Sequence, residues 1–526
     1  MRPPAPLQAG LDERYKNRYI IAAAVSLAAM MQVIDSSIVN VAIPSMMGNL
    51  GVSLDEISLV STSYIVASVI VIPMTGWLAS FFGRKQYFAG SILLFTIASF
   101  LCGTADTLGT LVFWRIIQGI GGGALMATSQ AILYESFPRE ETGTAMAFFG
   151  LGIMVGPTLG PTLGGWITDN YTWPWIFYIN IPFGILACAM IVAYVHDNTE
   201  DVPTRTIDLP GIALLILSVG MLQFVLERGD QYDWFESRLI VGMTAATIVA
   251  TALLVWRELT AEAPVIDFSI LKNTQFTAGT ILGIVVGAGL MGSVFILPVY
   301  FQQILHLTAL QTGVLILPGA LATAFAMLFV GRLSRVVDNR LLIVVGSFLF
   351  AGSMWQLSKM TAQSGAGDFF WPLLYRGFGL GLVFVPMTNL TLSDVNRRDL
   401  GQASGLYNFF RQMGGSLSIA VMASSLVRIT IQNKAVLSTH LSGYDVATRT
   451  RLDALVHRMV AQGTDAATAK QQALTILDRI LTQQAYVLAF SHIYLVSGLI
   501  LIASLPLLLL FKTGRPGASP HAAPAE

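Results

Sequence analysis

Four charged side chains, Asp35, Arg115, Arg376 and Arg411, lie inside long apolar stretches of the chain. A charge at membrane depth is costly and marks a functional site by default. Asp35 is the carboxylate of this set, and it is therefore the candidate for carrying a proton. Burial favours the protonated form of a carboxylate, whereas a nearby guanidinium favours its ionised form. A carboxylate and an arginine that approach and separate could thus drive the proton exchange of a proton-coupled carrier.

Asp35 and Arg115 are predicted to lie at matching depth. Asp35 is about 8 residues from the outer end of the first apolar stretch, and Arg115 is about 6 residues from the outer end of the fourth. At about 1.5 Å per residue, both lie roughly 9–12 Å below the outer surface. We predict that this pair couples transport to protons. Without a function, Asp35 would be a helix-packing residue and Arg115 would extend to the outer headgroups.

Three further residues are predicted to line a substrate cavity: Met31, Gln118 and Arg411. Met31 lies one helical turn from Asp35, and Gln118 lies one turn from Arg115 on the same face. Arg411 is inside its apolar stretch near the cytoplasmic end. Arg376 is shallower, and its side chain is expected to extend to the headgroups.

The composition excludes most other classes of protein. The 526 residues are 54% hydrophobic and 11% charged, with zero net charge, whereas soluble domains carry about 25% charged residues. A soluble enzyme, a disordered scaffold and a nucleic-acid binder are therefore excluded. Cys102 and Cys188 lie in apolar runs and are expected to pack rather than to bind metal or form a disulfide. No Walker motif and no metal-ligand spacing of histidines occur, so no metal and no bound cofactor are expected.

Fourteen apolar runs are long enough to cross a bilayer, which takes about 20 helical residues. In chain order, spans 1 to 14 are predicted at 20–43, 57–79, 87–105, 109–133, 143–167, 176–195, 209–227, 237–256, 276–299, 312–332, 341–359, 371–393, 403–427 and 487–511. Positive charge sets the orientation. Seventeen Lys and Arg fall on one side and three in the short loops of the other, which predicts that both termini are cytoplasmic.

A short segment is repeated after spans 2 and 10. Residues 76–85 and 331–340 both begin with Gly, have Leu two residues on and end with a basic residue. The first copy contains Gly76, Gly83, Arg84 and Lys85, and it is predicted to be a conformational loop motif. Arg115 in span 4 is likewise echoed by Arg376 in span 12. These pairs predict two six-helix halves around a central site, with spans 7 and 8 inserted between them.

Small residues recur at four-residue spacing in span 5, at Gly156, Gly160, Gly164 and Gly165. Such a face permits close helix contact. Pro161, with Pro157, removes backbone donors and is expected to bend the helix. We predict a pliable span that moves during transport.

Residues 428–486 form an unusually long outer loop between spans 13 and 14. Its later part, 448–484, has helical periodicity interrupted at Gly463-Thr464-Asp465, where Thr464 or Asp465 could cap a helix. This pattern predicts a helical hairpin that projects outside. It is either a loop without a partner or a docking surface.

These segments together resemble the major facilitator superfamily, specifically its fourteen-span drug:proton antiporters of the EmrB type. Residues 33–44 are similar to the first-span motif, residues 115–119 to the motif with a cavity-facing basic residue, and residues 156–165 to the antiporter motif of span 5. One departure concerns the loop motif. Ser80-Phe81 stands where the superfamily usually has Asp-Arg, which weakens the charge contact that this loop usually makes between the halves.

The resemblance implies export of hydrophobic toxic compounds across the bacterial inner membrane, driven by the proton gradient. It also implies an EmrA-like membrane-fusion adaptor and a TolC-like outer-membrane channel as partners, which would give the outer hairpin a role. The lipid bilayer is the remaining partner, and no nucleic acid is expected. Two alternatives stay open: a dedicated exporter of an aromatic acid, fatty acid or siderophore, and a membrane receptor or scaffold that does not transport.

The predicted protein is thus an all-α polytopic membrane protein with the major facilitator fold. Its predicted parts are a cytoplasmic segment at 1–19, a six-helix bundle at 20–195, two inserted helices at 196–275, a second bundle at 276–511 that includes the loop 428–486, and a cytoplasmic tail at 512–526.

Overall fold

Long helices build the chain. The computed structural model describes residues 17–138, 141–195, 208–261, 264–334, 336–396, 399–441 and 446–511, and no strand occurs in these ranges. The predicted segment 1–19, apart from its last three residues, and the tail 512–526 lie outside the described residues. Thirteen described helices are long and apolar enough to cross a membrane: Arg18–Leu50, Leu59–Phe82, Arg84–Gly103, Leu108–Ser136, Trp175–Tyr194, Leu209–Arg228, Arg238–Thr260, Thr274–Gln303, Leu310–Leu333, Asn339–Leu357, Ala366–Leu392, Leu400–Thr439 and Ala466–Leu510. Each overlaps one predicted span.

The position of span 5 is occupied by a further helix, Thr142–Asn170. It packs along span 1 on one side and along span 10 on the other. The helix runs through positions 157 and 161 without interruption, while the side chain of Pro161 lies outside the described part of the chain. The all-helical fold is confirmed, and the total of fourteen membrane crossings and the bend in span 5 stay predictions.

Span 1 is longer than predicted at its outer end. Its helix begins at Arg18 and ends at Leu50, where Gly51 adopts a left-handed conformation with φ of 65° and its N–H bonds to Met47 O. The helix continues seven residues past the predicted apolar limit at residue 43, because polar residues such as Asn40, Ser45 and Asn49 interrupt the hydropathy but not the helix. Asp35 lies near the middle of this helix rather than close to its outer end.

Spans 13 and 14 also continue far beyond their predicted limits. The helix of span 13 is Leu400–Thr439, with 40 residues, and that of span 14 is Ala466–Ala503, with 38 residues. At about 1.5 Å per residue each is close to 60 Å long, about twice the hydrocarbon thickness. A third helix, Val446–Ala461, joins them. The predicted hairpin is thus a pair of span extensions plus one connecting helix, and we call this part, residues 428–486, the outer extension.

The two halves meet at the predicted cytoplasmic end. Tyr134 Oη in span 4 donates to Asn389 Oδ1 in span 12 at 2.9 Å. Ser404 Oγ in span 13 donates to the carbonyl of Ala127 in span 4 at 3.1 Å. Hydroxyl groups from both halves therefore bond across the interface and hold this end of the molecule closed.

The loop motif after span 2 also contacts the other half by close packing. Gly76 lies against Gln402 of span 13 so closely that a Cβ on Gly76 would be 2.6 Å from the Cα of Gln402. Arg84 is buried and forms an ion pair with Glu135 within its own half. The chain turns between spans 2 and 3 at Gly83, whose φ of 83° favours glycine.

The second copy of the repeat makes the equivalent contact with the first half. Gly331 at the end of span 10 packs against Gly143, Thr144 and Ala147 at the start of span 5. The loop of the first half thus contacts span 13, and the loop of the second half contacts span 5. This exchange is what two parallel repeats related by a pseudo-two-fold axis produce.

Span 7 fills the space beside spans 2 and 13. Gly220 packs against Ile70 of span 2, and Gln223 Nε2 donates to Ser416 Oγ of span 13 at 2.9 Å. Span 8 packs mainly on span 7, and Arg257 forms a two-pronged hydrogen bond to the N-cap carboxylate of Asp208. The inserted pair is therefore attached to the bundle by span 7.

Candidate proton-coupling site

Asp35 lies at the centre of a buried polar cluster in the N-terminal half. Its side chain is 0% exposed. Arg115 Nη1 is 2.7 Å from Asp35 Oδ2, while Gln118 Nε2 and Asn180 Nδ2 each donate to Asp35 Oδ1 at 2.9 Å. Spans 1, 4 and 6 therefore all supply a member of the cluster. The predicted meeting of Asp35 and Arg115 is present in the structure.

Polar and aromatic groups surround the side chain of Arg115. Its side chain is 1% exposed, its Nε donates to the carbonyl of Val60 at 3.1 Å, and Nη1 also reaches Gln118 Oε1 at 2.7 Å. The guanidinium carbon lies 4.2 Å from the ring centroid of Tyr64, within the range of a cation–π contact. Arg115 therefore does not extend to the outer headgroups.

An outer shell of polar groups supports the cluster. Asn180 Nδ2 donates to Ser99 Oγ at 3.0 Å, and Ser99 Oγ donates to the carbonyl of Phe177 at 2.9 Å. Cys102 Sγ lies 3.6 Å from Gln118 Oε1, so this cysteine contacts the site. Asn180 and Ser99 are absent from the predicted site residues. The available signal was the position of Asn180 in the segment 175–182, where an amide interrupts an apolar span.

Three donors converge on the carboxylate of Asp35 in this conformation. They are the guanidinium of Arg115 and the side-chain amides of Gln118 and Asn180. Taking two ions out of water costs several kcal/mol for each ion, which only good geometry and additional hydrogen bonds offset. Any movement that withdraws Arg115 would leave a buried carboxylate for which protonation is the least costly state.

The glycines of span 5 form the wall behind Asp35. Gly156 packs on Val33, Gly160 on Ser37 and Gly164 on Ile38, all on the same helix as Asp35. Ser37 Oγ also lies 3.4 Å from the carbonyl of Gly156. Gly165 differs, since the nearest atom to a Cβ there would be Val41 Cγ1 at 4.0 Å. Spans 1 and 5 therefore touch nearly backbone to backbone on both sides of the carboxylate.

The remaining predicted residues have separate positions. Met31 is 3% exposed and packs in the hydrophobic core of the N-terminal half, and Gln118 is part of the polar cluster rather than of an open wall. Arg411, 3% exposed, lies between the halves. Arg376 is 6% exposed on span 12, so the expectation that it extends to the headgroups is wrong. The assignment of Met31, Gln118 and Arg411 to a substrate cavity stays a prediction.

A bundle of apolar helices in two halves, with a buried carboxylate–guanidinium pair inside one half, is the arrangement expected of a membrane transporter. The family comparison agrees: the Major Facilitator Superfamily model matches residues 25–419. The chain belongs to the Major Facilitator Superfamily, and it is a multi-pass membrane protein.

Relatives of known name are similar over nearly the full length. The multidrug export protein EmrB of Haemophilus influenzae is 33% identical over 481 residues, which cover 91% of this chain and 93% of that protein. The fatty acid resistance protein FarB of Neisseria gonorrhoeae is 32% identical and covers 93% and 95%. The crystal structure of a double-tryptophan XylE mutant shares the fold, with a TM-score of 0.59, 13% identity and coverage of 95% and 98%. The EmrB-type resemblance is confirmed.

Removal of Arg115 should destabilise the protein strongly. We expect Arg115→Leu to lower the free energy of unfolding by about 3–5 kcal/mol, because Asp35 would stay buried without its cation. The double variant Asp35→Asn with Arg115→Leu should recover a large part of this loss. Denaturant unfolding of the purified protein in one detergent measures all three. The control is Lys434→Leu, which breaks an ion pair whose two side chains are 36% and 58% exposed, and a loss no greater than that of the control would contradict the buried pair.

The glycine contact predicts a difference between two neighbouring positions in span 5. Gly160→Ala should destabilise the protein by about 1–3 kcal/mol, because its Cβ would overlap Ser37 on a tightly packed helix. Gly165→Ala adds the same methyl group where the nearest atom is 4.0 Å away, so it should be nearly neutral. Thermal unfolding of both variants compares them. Equal stability would show that spans 1 and 5 do not pack in this register.

Proposed function

We propose that the protein is a proton-coupled multidrug efflux permease of the bacterial inner membrane. The observation that carries the proposal is the fully buried Asp35–Arg115 pair inside a major facilitator fold. A relative named for multidrug export, which is similar over nearly the full length, supports the substrate class. Asp35 would take a proton from outside and Arg115 would control its release.

The proposed cycle uses the contacts of Asp35. In the present conformation three donors bond to the carboxylate. A rocking movement of the halves would pass through span 5, which packs on span 10 where Gly143 lies against Gly331 and where Thr162 lies against Gly313. Because span 5 also packs on span 1 at Val33 and Ser37, two residues before and two after Asp35, that movement would shift span 1 and separate Asp35 from Arg115. Protonation of Asp35 would then stabilise the second conformation.

The driving force is sufficient for useful export. One proton that enters across about 150 mV supplies roughly 3.5 kcal/mol. At about 1.4 kcal/mol per tenfold, this sustains a drug gradient of a few hundredfold. A single titrating carboxylate is therefore enough, and the proton gradient would be the energy source.

A second candidate function is the dedicated export of an amphiphilic acid. The relative FarB, named for fatty acid resistance, is as similar to this chain as the drug exporters are. Resistance of expressing cells to cationic dyes, compared with resistance to weak-acid uncouplers and fatty acids, separates the two functions. Protection against the acids alone would favour the dedicated exporter.

The proton role of Asp35 is tested in proteoliposomes by drug-dependent proton movement. Asp35→Asn should abolish this signal while the protein still inserts and purifies as a folded monodisperse species, because an amide cannot take up the proton. Asp106→Asn is the matched control, since Asp106 is an exposed carboxylate between spans 3 and 4. Normal drug-driven proton flux in Asp35→Asn would refute the proposed role. Absence of flux from the wild type with every compound class would favour the receptor or scaffold instead.

The outer extension is proposed to dock a periplasmic membrane-fusion adaptor and, through it, an outer-membrane channel. Spans 13 and 14 continue well beyond the bilayer thickness and are joined there by the Lys434–Asp478 ion pair at 2.8 Å. Large apolar side chains remain uncovered on this part, among them Val436 at 60%, Val446 at 77% and Leu474 at 47% exposure. Uncovered apolar side chains on a part that extends beyond the bilayer support an interaction surface there.

Deletion of residues 440–484 with a short Gly-Ser linker tests the docking role. Asn433 Nδ2 donates to the carbonyl of Ala485 at 3.3 Å, and the other cut end is six helical residues, about 9 Å, beyond Asn433, so a short linker can join the ends and the membrane part should fold. Insertion and substrate binding should stay intact, whereas cross-linking to a co-expressed adaptor should be lost. Cross-linking at the wild-type level would exclude the outer extension as the docking surface.

A further inference from the structure

The interface between the halves contains a second buried charge, Arg411 of span 13. Its side chain is 3% exposed, yet among the residues that the structure describes it forms no ion pair. Its Nη2 donates to Asn408 Oδ1 at 2.8 Å and lies 2.7 Å from Met126 Sδ of span 4. Arg411 thus differs from Arg115, whose guanidinium pairs with the carboxylate of Asp35.

The buried hydrogen-bond donors around Arg411 outnumber the acceptors that are available to them. Arg411 Nε is buried and has no partner, and so is Nε2 of Gln130, a residue of span 4 that is itself 0% exposed. The oxygen of each amide is already used: Asn408 Oδ1 by Arg411, and Gln130 Oε1 by Asn408 Nδ2 at 2.6 Å. Buried donors without acceptors are rare in folded proteins and call for an explanation.

We infer that Arg411, Asn408 and Gln130 form a binding site for the carboxylate of an amphiphilic anionic substrate. A carboxylate supplies two acceptor oxygens and the negative charge that this set of donors lacks, and its geometry fits the fork of a guanidinium. The inference rests on the proposed export function and names a substrate class for it.

The surroundings favour a carboxylate attached to an apolar group over an inorganic ion. The Arg411 guanidinium carbon lies 5.3 Å from the ring centroid of Phe384, and the thioether of Met126 contacts its Nη2. Met side chains adapt to ligands of irregular shape. A small hydrated anion would lose its water shell at this site, and it has no apolar group that could pack against Phe384 and Met126.

The proposed site lies across the interface between the two halves. Asn408 and Arg411 belong to the C-terminal half, whereas Gln130 and Met126 belong to the N-terminal half, and the Asn408–Gln130 bond spans the interface. A bound carboxylate would replace that bond. Substrate could thereby open the contact that keeps the halves together.

Binding measurements on the purified protein in nanodiscs test this inference without transport. The probes are decanoate and decyltrimethylammonium, which have the same chain length and opposite charge. Arg411→Gln should weaken decanoate binding tenfold or more and leave the cation unchanged, and Arg411→Lys should restore part of the affinity. Arg376→Gln is the matched control, because Arg376 is equally buried in the same half but lies on span 12 near Tyr494.

A second variant covers the case in which Arg411→Gln does not fold. Gln130→Glu keeps the shape of the side chain and supplies an internal carboxylate to the same donors, so it should weaken decanoate binding without loss of stability. Unchanged decanoate affinity in Arg411→Gln or Gln130→Glu would overturn the inference, and so would binding of chloride or phosphate at Arg411 in place of decanoate. If drug-driven proton flux then persists, the efflux function stands without this site. If decanoate binds through Arg411 but no flux occurs, the site stands and the efflux function fails.

Discussion

The ion pair between Asp35 and Arg115 is the interaction on which the N-terminal half is arranged. Two opposite charges without water can be retained only if their hydrogen bonds are complete. Gln118 and Asn180 donate hydrogen bonds to the carboxylate. The carbonyl of Val60 accepts a hydrogen bond from the guanidinium, and the ring of Tyr64 forms a cation–π contact with it. Four spans are thereby fixed around one polar centre. A change of charge at that centre must alter how these spans pack.

The geometry around the pair explains how such a change could reach the rest of the molecule. Span 5 packs on span 1 through Gly156, Gly160 and Gly164, and on span 10 of the other half through Gly143 and Gly150. It is thus in contact with the carboxylate-bearing helix and with the opposite half at once. The C-terminal half has no equivalent pair among its described residues, and Arg411 is buried there without a carboxylate. The two halves share a helix plan but divide the chemistry between them.

The sequence predicts the all-helical fold, the family and the central pair, because burial of charge in an apolar span is costly enough to be visible from residue types alone. The depth of Asp35 is predicted less well. Polar residues near the outer end of span 1 lower its hydropathy, although the helix continues to Leu50. The pair is still found, since a lone carboxylate and a lone arginine within neighbouring spans have few other partners.

Other parts of the site could not be predicted from residue types. Asn180 and Ser99 carry no charge. Asn180 contacts Asp35 from 145 positions away in the sequence, and Ser99 reaches the site only through its bond with Asn180. Apolar runs do not predict the full length of the helices of spans 13 and 14, because the outer turns of these helices are amphipathic and not apolar. The loop motif shows a related limit: the loss of its usual charges predicts a weaker contact between the halves, whereas Gly76 makes that contact by close packing on Gln402.

The central claim is that Asp35 changes its protonation state during transport. Isotope-edited infrared difference spectroscopy on the reconstituted protein measures this directly, with Asp35→Asn identifying the carboxyl band. Addition of a transported drug should exchange the ionised carboxylate signal of Asp35 for a protonated one, or the reverse, as the protein changes conformation. A carboxylate that stays ionised at every pH at which transport proceeds, with and without drug, would contradict the account.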